Sequence, residues 1–253
     1  MAIYNDTEIN SEQSLESRYN NKAQERELYL ERARDCSELT IPTLIPQDGA
    51  TMAEEFETTY QGIGARGVNN LASKLLLSLL PPNAPFFRLA IDNFAVQEIE
   101  EDENLRTQID SGLVKIEKAV MDDIEMSNDR VAVFEALKHL IVGGNALLFV
   151  SNEGLRVFPL SQYVLERDPM GNVLEIITKE SIAYSALPED IRVAIQSQQG
   201  EKKESDVCDL YTCVKRKPDH FMVHQEVKGI KLEESFGKYK LDQSPYIPLR
   251  MVR

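Results

Sequence analysis

The sequence has only three cysteines, three histidines and no long apolar run, and each shortage narrows what the chain can do. Cys36, Cys208 and Cys213 make an odd count. Cys208 and Cys213 lie five residues apart in what reads as one strand, so they point to opposite faces and do not bridge easily. No CxxC pair is present, and His139, His220 and His224 are too scattered to complete a zinc set. No metal is therefore expected, and no cofactor. Nothing approaches the roughly 20 apolar residues of a membrane span, so no membrane partner is expected. Met1 to Glu16 is polar and acidic, without the basic start and apolar core of a signal peptide, which predicts a soluble protein made in a cytoplasm.

Catalytic motifs are missing as well. There is no GxxxxGK[ST] phosphate loop, no GxSxG elbow and no HExxH pair. His139, in Lys138-His139-Leu140, has no nearby Cys or Ser and reads as a partly exposed structural histidine. Asp102-Glu103 and Asp122-Asp123 are adjacent in sequence, so they leave a helix on different sides and cannot act as an acid–base pair. No enzymatic activity is expected.

Basic residues are also in deficit, 28 Lys and Arg against 42 Asp and Glu, for a net charge of −14. A surface that grips nucleic acid tightly is basic, so this balance argues against one. The acidic excess concentrates from Asp6 to Glu57 and from Glu98 to Asp129. Such runs are ordinarily solvated helix faces. Their functional alternative is a wall that repels phosphate and lets DNA pass without sticking.

What is present is a globular composition, 42% hydrophobic over 253 residues, enough for one large domain or two smaller ones. No internal repeat is visible. Ser11 to Leu39 lacks Gly and Pro and carries Leu15, Tyr19, Ala23, Leu28 and Ala33, predicting one amphipathic helix ended by Pro42 and Pro46. Gln47-Asp48-Gly49 marks a turn. Val68, Leu71, Ala72, Leu75, Leu76, Leu79 and Leu80 predict a second helix stopped by Pro81-Pro82.

Phe86 to Ile91 reads as a short strand. Ile109, Leu113, Ile116, Val120 and Ile124 predict a long helix. Asp129 is placed as the N-cap of the next one, whose buried stripe would be Val133, Phe134, Leu137 and Ile141. Gly143-Gly144-Asn145 ends it. Beyond Asn145 the period shifts toward two. Asn152-Glu153-Gly154, Asp168 to Asn172 and Pro218-Asp219 mark turns between strands. A short helix is predicted over Pro188 to Gln196, followed by a polar loop from Gln198 to Ser205. Tyr246 to Arg253 reads as a strand with no terminator, as if the chain stopped midway. The reading is α+β, with a helical first part and a small antiparallel β part meeting near Gly144.

Gly62-Ile63-Gly64-Ala65-Arg66-Gly67 matches the GxGxxG pattern. A dinucleotide site also needs a buried strand before it and a βαβ unit around it. The preceding Glu54 to Tyr60 is acidic, and Pro81-Pro82-Asn83 follows the helix. The expectation is that these glycines let the helix start approach a neighbouring backbone closely.

Several segments resemble podovirus head-to-tail connectors of the autographivirus type. Arg32 to Pro46, RARDCSELTIPTLIP, is similar to their early segment, where a helix leads into a T-I-P stretch. GIGARGVNNLASKLLLSLLPP, from Gly62, looks like their GARGxNNLASKL run, and Phe134 to Asn145, FEALKHLIVGGN, fits another block. Ser161 to Val173, Ala186 to Arg192 and Tyr246 to Arg253 follow in the family's order. The resemblance covers about Tyr19 to Arg253.

It implies a portal subunit: a homo-oligomeric, dodecameric ring at one capsid vertex through which DNA is packaged and ejected. Implied partners are the major capsid protein, a tail adaptor, the terminase during packaging, internal core proteins and genomic double-stranded DNA passing non-specifically. The implied location is the virion's portal vertex, after assembly in the host cytoplasm. Residues 1–145 would be the mainly helical wing region and residues 146–253 an SH3-like antiparallel subdomain with a short helix. The family's stem, clip and crown would lie outside this chain. In this context the acidic runs fit a wall along which DNA slides.

Ring closure uses heterologous contacts between neighbours. Arg66, Asn69, Asn70 and Lys74, on the best-matched helix, are the candidate interface residues; Asn70 could instead pack within its own subunit. Two other functions stay open: another virion structural protein such as a tail adaptor or scaffold, and a nucleotide-binding enzyme using Gly62 to Gly67.

Overall fold

The computed structural model describes residues 13–46, 61–82, 84–90, 103–152, 154–199 and 206–251. The expected turn at Gln47 to Gly49, the acidic Glu54 to Tyr60 and the loop's residues 200–205 lie outside these. The architecture is mixed, helices with antiparallel sheet, as the α+β reading anticipates. Contacts group the chain into two units that interleave in sequence: residues 1–35 with 158–246, and residues 36–157 with 247–253. Neither unit follows a cut at residue 145.

The first unit is built on a five-stranded antiparallel meander in chain order: β3 (Tyr163–Arg167), β4 (Val173–Ala183), β5 (Val207–Arg216), β6 (His220–Val227) and β7 (Ile230–Lys240). Strand alternation gives it two buried faces. On one, helix α1 (Leu15–Glu25) lays Leu15 and Tyr19 on Val164, Ile177, Tyr211 and Cys213. On the other, helix α6 (Glu189–Gln199) contributes Ile191 and Ile195 to a cluster with Tyr184, Leu187, Cys208 and Val227. Each such side chain taken out of water contributes roughly 1.5–3 kcal/mol. Cys208 and Cys213 therefore sit in different clusters on opposite faces, as their spacing predicts.

Turn chemistry holds the strands in register. Asp168 accepts the Asn172 backbone N–H at 2.7 Å and its side-chain amide at 2.8 Å, with Gly171 at φ 89° between β3 and β4. Lys228 (φ 52°) and Gly229 (φ 80°) make the two-residue turn from β6 to β7, a geometry that needs positive φ at both positions.

The second unit holds helices α3 (Ile63–Leu79), α4 (Glu103–Met126) and α5 (Asp129–Gly143), with strands β1 (Asn145–Ser151), β2 (Gly154–Phe158) and β8 (Tyr246–Arg250) in the order β2-β1-β8. Both α3 and α4 pack on α5, which also packs on β1. Gly144, at φ 71°, ends α5 in the left-handed conformation, donates to the Leu140 carbonyl at 3.0 Å and accepts Met251 N–H at 2.9 Å. Ala136, Ala146 and Leu148 form the core there, backed by Val157 and Leu249.

Several expectations are corrected. The helix over Ser11 to Leu39 is two: α1, and α2 (Glu27–Glu38), separated at Arg26. Arg26 adopts φ −98°, ψ 1°, and its guanidinium reaches the Leu160 carbonyl; the break carries no Gly or Pro. Phe86 to Ala90 forms no strand; the Leu89 N–H goes instead to the Glu117 carboxylate at 2.6 Å, and Ile91 lies outside the described residues.

Asp129 is the first helical residue and Asn128 the N-cap. The Asp129 carboxylate instead accepts the Leu155 N–H at 2.8 Å, tying α5 to the β1–β2 hairpin. On α5, Val133, Phe134 and Ile141 are half-buried. The buried positions are Ala132, Ala136, Leu137, His139 and Gly143, mostly small residues that let neighbouring elements approach closely. Strand β3 went unread in sequence, and so did β7. While β6 advances two residues from Val223 to Gln225, β7 runs from Gly237 back to Leu232, and the three extra residues of this irregular bulge interrupt the period-two signal.

Candidate functional site

Helix α3 carries all four predicted site residues. It begins at Ile63, with Gly62 as N-cap, and its inward face is set by Val68 and Ala72, both buried. Arg66, Asn70 and Lys74, spaced at four residues, share the opposite face, and Asn69 lies to one side of it. All four are exposed. Of the predicted buried face, Leu75, Leu76 and Leu80 are half-buried, while Leu71 and Leu79 are exposed.

The outward face is not purely polar. Ile63 is 71% exposed and Leu77 57% exposed, at the two ends of the row that contains Arg66, Asn70 and Lys74. The helix contains no acidic residue. Its few polar contacts are local: Arg66 Nε donates to Gly62 O at 3.4 Å and Ser73 Oγ to Asn69 O at 2.7 Å. The face thus sets two cations between apolar ends, on a helix with no acid of its own.

The glycine motif around this helix has a packing role. A Cβ on Gly64 would lie 2.7 Å from the Leu39 carbonyl oxygen and 3.3 Å from Thr40 Cα, so the helix start touches the backbone that follows α2. Gly64 and Gly67 are inside the helix, unlike the loop glycines that cradle a pyrophosphate. The Gly67 position faces open space.

Helix α4 supplies a second surface. Ile109, Leu113, Ile116, Val120 and Ile124 form one stripe, as expected, but Ile116 is 53% exposed, Val120 is 39% exposed, and the other three are half-buried. Among the described residues of α4, Met121 is the buried one. Beside Pro85 the helix forms a pocket whose charged lining is Glu117, Asp122 and Glu125 against Lys118, a poor environment for a phosphate.

The buried charges lie elsewhere. Glu175 on β4 pairs with Arg18 and, at 3.7 Å, with Lys22, which also pairs with Glu166. Glu226 accepts the Leu15 N–H at 3.0 Å, and burial raises its carboxyl above the ordinary range. Tyr19 donates to Ser161 O at 2.7 Å. These bonds pin α1 to the sheet.

Cys213 Sγ is 3.6 Å from Glu175 Oε1; burial and the neighbouring carboxylate push the thiol's pKa up, so it stays protonated and unreactive. His139, expected to be partly exposed, is buried, and desolvation lowers its pKa to about 4. No sequence signal links these residues, because the network joins positions 157 apart such as Arg18 and Glu175. Among the described residues no group of His, Cys, Asp and Glu could hold a metal ion, and no helix is long and apolar enough to cross a membrane.

Comparison with known proteins bears on the whole chain. The family model for bacteriophage head to tail connecting proteins matches residues 12–253. The portal protein of Escherichia phage T7 is 40% identical over 251 residues, covering 96% of this chain and 47% of that protein. For the portal protein of Enterobacteria phage T3 the identity is 38% over 249 residues, covering 96% and 46%. For that of Enterobacteria phage SP6 it is 30% over 235 residues, covering 91% and 45%. The chain thus spans about half the length of the curated relatives it matches.

Proposed function

Since this chain belongs to the bacteriophage head to tail connecting protein family, we propose that it is the amino-terminal portion of a portal subunit of a short-tailed phage. In this reading, copies of the subunit close into a ring, of twelve by the family pattern, at one capsid vertex. DNA enters through the ring when the genome is packaged and leaves through it into the tail. The role is structural. The subunit sits in the virion, assembled in the host cytoplasm, with the major capsid protein, a tail adaptor, internal core proteins and, during packaging, the terminase as its neighbours.

The observation that carries this reading is 40% identity to a portal protein across 96% of the chain. The physical features agree with it. A net charge of −14 suits a protein that lets phosphate slide past it. In this reading the five-stranded meander and its short helix α6 belong to the SH3-like subdomain of residues 146–253, and helices α3 to α5 to the wing region of residues 1–145. The cationic face of α3, with Arg66, Asn69, Asn70 and Lys74, is assigned to contact between ring neighbours.

The test is electron microscopy with light scattering on the purified gene product that contains this chain. Closed rings with a central hole and a mass near twelve subunits are expected. A protein that stays monomeric or dimeric and is stabilised against heat by ATP or NAD would overturn the reading in favour of a nucleotide-binding enzyme. Rings that never associate with terminase or DNA would favour a tail adaptor.

A further inference from the structure

We propose that the outward face of α3 on one copy of this chain docks on the apolar stripe of α4 on the next copy. The proposal rests on the ring reading above and names the two surfaces that meet. Each is incompletely covered in the single chain. On α4, Ile116 and Val120 are exposed at 53% and 39%, in line with the half-buried Ile109, Leu113 and Ile124. A Cβ built on Gly112, beside this stripe, meets nothing within 4 Å. On α3, Ile63 and Leu77 are exposed at 71% and 57%, with Asn70 midway between them.

The two apolar stripes match in spacing and length, and the charges beside them are of opposite sign. Ile63, Asn70 and Leu77 recur every seven residues, and so do the α4 pairs Ile109 with Ile116 and Leu113 with Val120, which is the repeat that lets two helices stay in contact at a shallow angle. At 1.5 Å per residue the α3 row from Ile63 to Leu77 is about 21 Å long, and the α4 row from Ile109 to Ile124 about 22 Å. Arg66 and Lys74 flank the α3 row on opposite sides.

Among the described residues of α4, those whose charge lies beside the stripe are Asp110, Glu117 and Asp123; Lys115 and Lys118 project from the far side of the helix. The Glu117 carboxylate is engaged by the Leu89 N–H at 2.6 Å, which leaves Asp110 and Asp123, both exposed, to meet the cations. The contact joins unlike surfaces. Such a heterologous contact builds rings when its rotation closes, and two identical α3 faces would instead set cation against cation.

The experiment is a charge exchange in the gene product that contains this chain, read by light scattering and imaging at moderate salt. Arg66→Glu with Lys74→Glu, and separately Asp110→Lys with Asp123→Lys, are each expected to weaken ring closure by roughly tenfold per contact. Combining all four substitutions is expected to restore assembly, which also shows that the altered subunits fold. Rings that form normally in both double variants overturn this pairing and leave the portal reading intact. Loss of rings in each double variant without rescue in the combination also overturns it. An unaltered protein that forms no rings overturns the portal reading itself, and this pairing with it.

Discussion

Gly64 and Gly67 look alike in the sequence, yet their surroundings give opposite outcomes to the same substitution at each. Gly64→Ala would place a Cβ 2.7 Å from the Leu39 carbonyl oxygen, 3.2 Å from Thr40 Cγ2 and 3.3 Å from Thr40 Cα. The nearest of these neighbours is backbone, so it cannot rotate aside, and α3 or the segment after α2 must shift by about half an ångström. Overpacking of this kind costs about 1–3 kcal/mol. The better helix propensity of Ala over Gly offsets up to about 1 kcal/mol of it. The net expectation is a loss centred on about 1 kcal/mol.

At Gly67 the added methyl meets nothing within 4 Å. Gly67→Ala should therefore raise stability by about 0.5–1 kcal/mol, chiefly by restricting the unfolded chain. Urea unfolding followed by far-ultraviolet circular dichroism, with equal slopes for the variants, reads both changes as midpoint shifts of opposite sign. If Gly64→Ala proves as stable as the parent or as Gly67→Ala, then α3 does not rest on the backbone after α2, and the close-packing account of this motif fails.

Other predictions concern buried polar groups. Arg18→Met takes from Glu175, whose side chain is 6% exposed, one of the two cations it faces. It should cost about 2–4 kcal/mol in a denaturant titration. Adding Glu175→Gln should recover part of that loss, and no recovery would mean that the charge itself is not the cause. Asp129→Ala removes the acceptor of the Leu155 N–H and should cost about 1 kcal/mol in the same titration; an unchanged midpoint would show that the hairpin is held otherwise.

His139 has a folded pKa of about 4 against 6.5 when free, so the folded state binds fewer protons at this site. Its contribution to stability is present at neutral pH and is lost as pH falls from about 6.5 toward 4, by up to about 3 kcal/mol. Unfolding midpoints compared with His139→Gln at pH 7, 5.5 and 4.5 isolate this slope. Parallel curves for the two proteins would refute it.

The residues alone determined what local rules govern. Turn chemistry at Asp168 to Asn172, at Asn152 to Gly154 and at Pro218-Asp219 located three turns, the last two read as hairpins, because Asn, Asp, Gly and Pro carry their preferences within a few residues. Gly144 ended a helix for the same reason. Helical spacing located α3 and α4, and ordered blocks across the chain placed it among head-to-tail connectors.

Tertiary structure alone decided the rest. Which side of α4 faces outward depends on where α5 lies, and periodicity describes a stripe without saying what covers it. The break at Arg26 coincides with a bond to Leu160, and the Glu175 and Glu226 anchors join residues far apart in sequence. Strand β7 hid behind its own bulge. The two units interleave because α1 buries Leu15 and Tyr19 on a sheet that begins more than a hundred residues later. The close approach that gives Gly64 its role exists only once α3 meets the backbone at Leu39. Contacts of this kind are selected by the burial of whole faces, a property of the assembled chain that no short window of sequence contains.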